Sequence, residues 1–199
     1  TGTVSDSSHL PQNLDSLSGK ILRLNDDGTI PEDNPFSNSP VYSLGHRNPQ
    51  GIDWHPDSGI LVETEHGPSG ERGIAHDEVN VILPGKNYGW PEQQCSGNNK
   101  FENAIMCYDP SIEPGGILYY SSDKINLEAD FVMASLRATN LYQLDFSEGL
   151  PSQKTILSGV GRIRDVVQSP DGSLYVITSN TDGKGFPDSM DDKLLRIIK

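Results

Sequence analysis

The sequence is short of cations, cysteine and long apolar runs. Lys and Arg number 15 against 28 Asp and Glu, a formal charge of −13. A surface this acidic repels phosphate backbones and anionic lipid headgroups, which argues against nucleic-acid binding as a main role. Its carboxylate oxygens do suit hard cations such as calcium. No apolar stretch approaches the roughly 20 residues that a membrane-spanning helix requires. Helical periodicity is nearly absent. The two cysteines, Cys95 and Cys107, have no neighbouring histidine pair, which argues against a zinc site. They leave two readings open, a disulfide closing a short loop in an oxidising compartment or two unpaired thiols. The chain opens Thr1-Gly2-Thr3 with no Met, basic region or apolar leader, so it is expected to be a processed product or a fragment.

What the sequence does contain is short alternating strands. Lys20-Ile-Leu-Arg-Leu, Gly59-Ile-Leu-Val-Glu-Thr, Asn140-Leu-Tyr-Gln-Leu, Ser173-Leu-Tyr-Val-Ile-Thr and Lys193-Leu-Leu-Arg-Ile are bounded by turn formers such as Asp26-Asp27-Gly28 and Pro170-Asp171-Gly172. A polar-led repeat recurs at Lys20, Glu78, Asn140 and Lys193, spaced by 58, 62 and 53 residues. That is close to the roughly 40–50 residues of a four-stranded propeller blade plus its loops. A second repeat relates Gly51–Thr64 to Asp165–Thr178, each reading strand, Pro-Asp turn, strand. An all-β chain follows, a partial β-propeller over residues 1–199. A β-sandwich also alternates, but the long period argues against it. Three or so blades cannot close a ring, so the rest comes from the same chain or a partner.

Several segments carry chemistry. Gly45-His46-Arg47-Asn48-Pro49-Gln50-Gly51 sets a fixed cation beside a carboxamide, suited to a ligand carboxylate or to an ordinary surface loop. Thr64-Glu65-His66-Gly67-Pro68 follows a strand end. Carbonyls exposed at such a Gly-Pro turn can ligate calcium, although strand-ending turns also look this way. Asp77 and Glu78 could hold a second calcium or simply be solvated. Asn87-Tyr88-Gly89-Trp90-Pro91 offers a rigid aromatic surface. Strand alternation puts Arg162 and Arg164 on one side, suited to a multiply anionic ligand or merely exposed. Arg137 adds a third cation.

Taken in order, Gly19-Lys-Ile-Leu-Arg-Leu24, Gly45–Gly51, Thr64–Pro68, Asp77-Glu-Val-Asn80, Gly85–Pro91 and Arg162-Ile-Arg-Asp165 resemble the soluble glucose/sorbosone (aldose sugar) dehydrogenases that use pyrroloquinoline quinone (PQQ). The resemblance spans nearly the whole chain. It implies a six-bladed propeller of which this chain covers the last three to four blades. It also implies oxidation of aldoses at C1 to lactones, an external electron acceptor, and a periplasmic or secreted location. Carried over, Arg47, Asn48, Arg137, Arg162 and Arg164 match cofactor contacts, and Gly67 and Pro68 match carbonyls on the calcium that bridges to PQQ. Glu78 and Tyr88 match ligands of a further structural calcium. The family's general base is a histidine upstream of the Gly19–Leu24 strand, so no catalytic residue is expected in this chain. His9, His46 and His66 do not fit that role, and the chain alone is expected to be inactive. Two alternatives share the scaffold. One is a non-catalytic extracellular binding module, which has no need of cations at a cofactor pole. The other is a calcium-dependent lactonase, which needs carboxylate and Asn ligands at a central channel.

Overall fold

The computed structural model describes residues 1–3, 8–68, 75–97, 99–127, 131–146 and 151–198. Among the described residues one 3-10 turn, Leu10–Gln12, accompanies thirteen strands. These are β1 (Lys20–Leu22), β2 (Val41–Leu44), β3 (Pro49–Trp54), β4 (Leu61–Glu65), β5 (Asp77–Ile82), β6 (Met106–Tyr108) and β7 (Pro114–Tyr119). The rest are β8 (Phe131–Ser135), β9 (Asn140–Asp145), β10 (Ser152–Ser158), β11 (Ile163–Gln168), β12 (Leu174–Thr178) and β13 (Leu194–Ile197). They form four antiparallel sheets whose strands follow chain order. Successive meander sheets of this kind are the blades of a β-propeller. The repeat leaders fall on β1, β5, β9 and β13, or in the case of Lys193 immediately before it.

The chain divides into two compact units. The first comprises Thr1–Pro49 and Leu61–Ser111. In it β1 pairs with β2, and β5 lies between β4 and β6. Every residue of β4 is buried, so the strand is covered on both faces. Leu61, Glu63 and Glu65 share one face by alternation. Ile21, Leu61, Ile82 and Tyr88 form an apolar cluster, with Tyr42 packed against it. Two features place charge in this interior. Register sets Glu63 opposite Asn80 and Glu65 opposite Glu78, and Lys20, fully buried, gives its ammonium to the carbonyls of Leu10, Pro11 and Ser18 at 2.9–3.0 Å.

The second unit comprises Gln50–Ile60 and Ile112–Lys199. One sheet runs β7-β8-β9-β10 and another β11-β12-β13. Leu118, Val132, Leu141, Ile163, Val166 and Leu174 lie among its buried core residues. β11 packs against β7 and β8, and the Pro114-Gly115-Gly116 start of β7 explains how. A Cβ on Gly115 would meet the Arg164 carbonyl, and one on Gly116 would meet the Asp165 carboxylate. Glycine lets the strand carrying Arg162 and Arg164 approach to backbone distance.

Candidate cofactor and metal site

In the first unit one carboxylate organises the loop after β2. Glu65, at the end of β4, accepts the His46 Nδ1–H at 3.0 Å through Oε2 and the Arg47 backbone N–H through Oε1. His46 Nε2 lies 2.8 Å from Ser43 Oγ, and its ring stacks on Tyr88 at 4.7 Å. Fully buried with both ring nitrogens engaged, His46 holds the loop in place. His66 N–H donates to the Asn48 carbonyl at 3.1 Å, and Arg47 Nη1 donates to the His66 carbonyl at 3.1 Å. The Arg47 guanidinium also sits 5.8 Å over the Trp90 ring. The His-Arg-Asn loop and the His-Gly-Pro turn are thereby stitched into one surface.

Gly67 is required by its surroundings, because a Cβ would collide with the His76 carbonyl. Its N–H donates to Asp77 Oδ1 at 2.9 Å, and Asp77 Oδ2 accepts Ser111 Oγ–H at 2.6 Å. With that amide committed, the carbonyls of Gly67 and Pro68 are the groups the turn can offer a cation. Glu78 is held from two sides, by Cys95 N–H at 2.6 Å and by Asn80 Nδ2–H at 3.2 Å. Cys95 and Cys107 form a disulfide, and Cys107 stands opposite Glu78 in the β5–β6 register. Burial, and then the facing charge of Glu65, push the Glu78 carboxyl up to about 7. The same two causes push Glu63 well above the usual carboxylate range. The Tyr88 phenol donates to the Val81 carbonyl at 2.6 Å and accepts Leu83 N–H at 2.9 Å. Its side chain is thus spent on the β5 end, and Tyr88 can serve a metal through its backbone.

Glu78, Gly67, Tyr88, Gln93 and Gln94 are among the residues lining a small recess. The space open there to the centre of a water molecule is about 10 Å³, one ion or water in size. Gln93 Oε1 and Gln94 Oε1 are buried without a hydrogen-bond partner. Arg47, His76 and Trp90 also line the recess, and the Trp90 indole N–H is likewise buried without a partner; Glu78 and the two glutamine oxygens are the groups it could offer a hard cation. The sequence reading missed both glutamines, since a Gln-Gln pair in a polar loop carries no distinguishing pattern.

In the second unit the structure brings Arg162 and Arg164 together. Arg162 Nη2 donates to Glu113 Oε2 at 3.1 Å and to Asp182 Oδ2 at 3.3 Å, and Arg164 Nη2 lies 3.8 Å from the same Asp182 oxygen. Arg162 Nε donates to the Ser179 carbonyl at 3.2 Å, and Arg164 Nη1 reaches Gln50 Oε1 at 3.5 Å. Arg137 is exposed in the turn between β8 and β9. That turn is tied to the same region: Arg137 N–H donates to the Ile112 carbonyl, and Leu136 N–H to that of Glu113. The Arg162–Arg164 pair suits a carboxylated ligand. Glu113 and Asp182, the carboxylates already present, were not singled out by sequence, because they lie far along the chain from the arginines they meet.

The blades are of the β-propeller class, with paired guanidiniums in the second unit and a Gly-Pro turn beside a small recess in the first. The profile of the Glucose / Sorbosone dehydrogenase family matches residues 1–196, and the chain belongs to that family. It is 34% identical over 195 residues to aldose sugar dehydrogenase YliI of Escherichia coli, covering 87% of this chain and 51% of that protein. It is 53% identical over 76 residues to quinoprotein glucose dehydrogenase B of Acinetobacter calcoaceticus, 37% of this chain and 15% of that one. The PQQ-bound aldose sugar dehydrogenase of Streptomyces coelicolor superposes with a TM-score of 0.81 at 36% identity, covering 96% of this chain and 56% of that one. The chain spans about half the length of the longer-matching relatives.

Proposed function

We propose that this chain forms part of a PQQ- and calcium-dependent dehydrogenase that oxidises aldose sugars at C1 to lactones, passing electrons to an external acceptor. When bound, PQQ supplies a quinone able to accept hydride, and calcium supplies a Lewis acid to polarise it. Arg162 and Arg164 hold the cofactor carboxylates, and Arg137 adds a further cofactor contact. Arg47 and Asn48 make further cofactor contacts. The Gly67 and Pro68 carbonyls hold the calcium that meets the cofactor, while Glu78 and the Tyr88 carbonyl hold a second, structural calcium. No described histidine is assigned the base that takes the C1 hydroxyl proton. The disulfide supports a periplasmic or secreted location. Remaining blades complete the ring, from the same chain or a partner.

One observation carries this reading: the guanidinium of Arg47 is fixed on the His66 carbonyl, one residue before the Gly67–Pro68 turn. A cation for an anionic ligand, from the loop after β2, thus lies against the turn after β4 whose backbone oxygens can serve a metal. The test is reconstitution of the full-length protein with PQQ and calcium, followed by quinone absorbance and dye reduction with a panel of aldoses. Arg164→Ala should weaken PQQ uptake at least tenfold. Absence of both quinone absorbance and dye reduction removes the proposal, and leaves the non-catalytic module as the reading of the scaffold.

A further inference from the structure

The arginine pair of the second unit is already neutralised. Two guanidiniums, Arg162 and Arg164, stand against two carboxylates, Glu113 and Asp182. Asp182 is the shared partner. One of its oxygens, Oδ2, lies 3.3 Å from Arg162 Nη2 and 3.8 Å from Arg164 Nη2, between the two side chains. A tricarboxylate approaching this place meets no net positive charge from the pair, although such a field is what draws an anion in and repays its desolvation.

Asp182 is also built to be replaced. It sits in the connection between β12 and β13, outside regular structure. Its attachments there are local: Oδ1 accepts Lys184 N–H at 2.8 Å, and Oδ2 accepts Ser179 Oγ–H at 3.2 Å. These bonds and Arg162 hold the carboxyl below its usual range. It remains an anion at neutral pH and competes with any ligand carboxylate as a like charge. Arg162, by contrast, is anchored to the fold independently of Asp182. Its Nε donates to the Ser179 carbonyl, its backbone N–H to Asn180 Oδ1 at 2.8 Å, and its carbonyl accepts Ser179 N–H at 2.8 Å. Removing Asp182 leaves that guanidinium aimed by other bonds.

We infer that Asp182 is a resident counter-ion occupying the ligand-carboxylate position between Arg162 and Arg164, and that an incoming carboxylate of the cofactor binds by exchanging for it. The inference rests on the PQQ reading for the identity of the ligand, and on this chain alone for the exchange. Asp182 therefore sets affinity, acting as a positioning residue that opposes binding. In the unliganded chain the carboxylate keeps both guanidiniums paired.

The experiment compares the full-length protein with Asp182→Asn and Asp182→Ser. PQQ binding is followed by fluorescence quenching, with melting temperature as the folding control. Asparagine keeps an oxygen for Lys184 N–H, can donate its NH₂ to Ser179 Oγ, and removes the charge. Expected is a three- to tenfold lower Kd for PQQ in both variants, with a steeper loss of affinity on adding salt, because the pair's charge is no longer cancelled. An unchanged or higher Kd in folded variants overturns the inference and makes Asp182 a strut for the arginines. If neither parent nor variants take up PQQ, the cofactor reading falls. The same titrations with citrate, a simple tricarboxylate, then decide the exchange: tighter binding by the variants supports it, and equal or weaker binding overturns it.

Discussion

Truncating Glu65 tests whether one carboxylate holds the His-Arg-Asn loop. Glu65→Ala strips the acceptor from two buried donors, His46 Nδ1–H and the Arg47 backbone N–H. Leaving a buried donor unsatisfied costs about 1–3 kcal/mol, so the variant should lose about 2–6 kcal/mol. Glu65→Gln should behave differently. Its carboxamide oxygen still accepts from Arg47, and its NH₂ can donate to His46 Nδ1 once the imidazole proton moves to Nε2, where Ser43 Oγ lies 2.8 Å away to accept it. It also removes the charge that faces Glu78 across the β4–β5 pair, and like charges directly opposite are destabilising. Its net cost should stay below about 1 kcal/mol. Urea unfolding of parent and variants measures both, and PQQ titration should show Glu65→Ala losing affinity as Arg47 leaves the His66 carbonyl while Glu65→Gln keeps it. Equal losses in the two variants, or a loss under about 1 kcal/mol in Glu65→Ala, would refute the proposed role of the carboxylate.

Two further predictions follow from the same unit. The unfolded chain releases the Glu78 proton near the ordinary 4.5, whereas the folded chain keeps it to about 7, so between these pH values the native state binds more protons. In chelator, stability should therefore be highest below about pH 4.5 as far as Glu78 is concerned, and fall by about 3 kcal/mol as pH rises to 7. Glu78→Gln should make that slope shallower, Glu63 still contributing in the same direction, and an unaltered slope in chemical denaturation would count against the assignment. Cys95 and Cys107 are 12 residues apart, and opening a loop of this size by Cys107→Ser should cost about 3 kcal/mol on the chain-entropy account. It should also slacken Glu78 through the Cys95 N–H, so calcium protection against thermal unfolding should shrink in parallel.

Much of the fold was legible because alternation and turn chemistry agreed. The segments at 20, 59, 140, 173 and 193 became β1, β4, β9, β12 and β13 within two residues of their expected starts. In the Pro170-Asp171-Gly172 turn, Asp171 accepts Ser173 N–H at 3.0 Å and Gly172 takes φ 81°. Five strands escaped: β2, β6, β7, β8 and β10. β7 begins Pro-Gly-Gly, whose glycines answer to the neighbouring β11 and carry no alternation of their own. The first four residues of β10 are polar and exposed at a sheet edge, and only Ile156 and Leu157 reach the core, adjacent in sequence, so no alternation is written into it. β6 is three residues long. At the site, the turn, the loop and the arginines stood out as motifs, because each concentrates special backbone or charge in a few positions. Their partners did not: Glu65 meets His46 and Arg47, and Arg162 meets Glu113 and Asp182, only through long-range packing.

The polar edge strand β10 has a practical side. Ser152, Gln153, Lys154 and Thr155 are all exposed, and a lysine on an outer rim discourages strand-to-strand aggregation. Mutational load and chemical attachment should be best tolerated there. Tethering the protein to an electrode or a bead through this rim would leave the arginine cluster and the Gly-Pro turn chemically untouched.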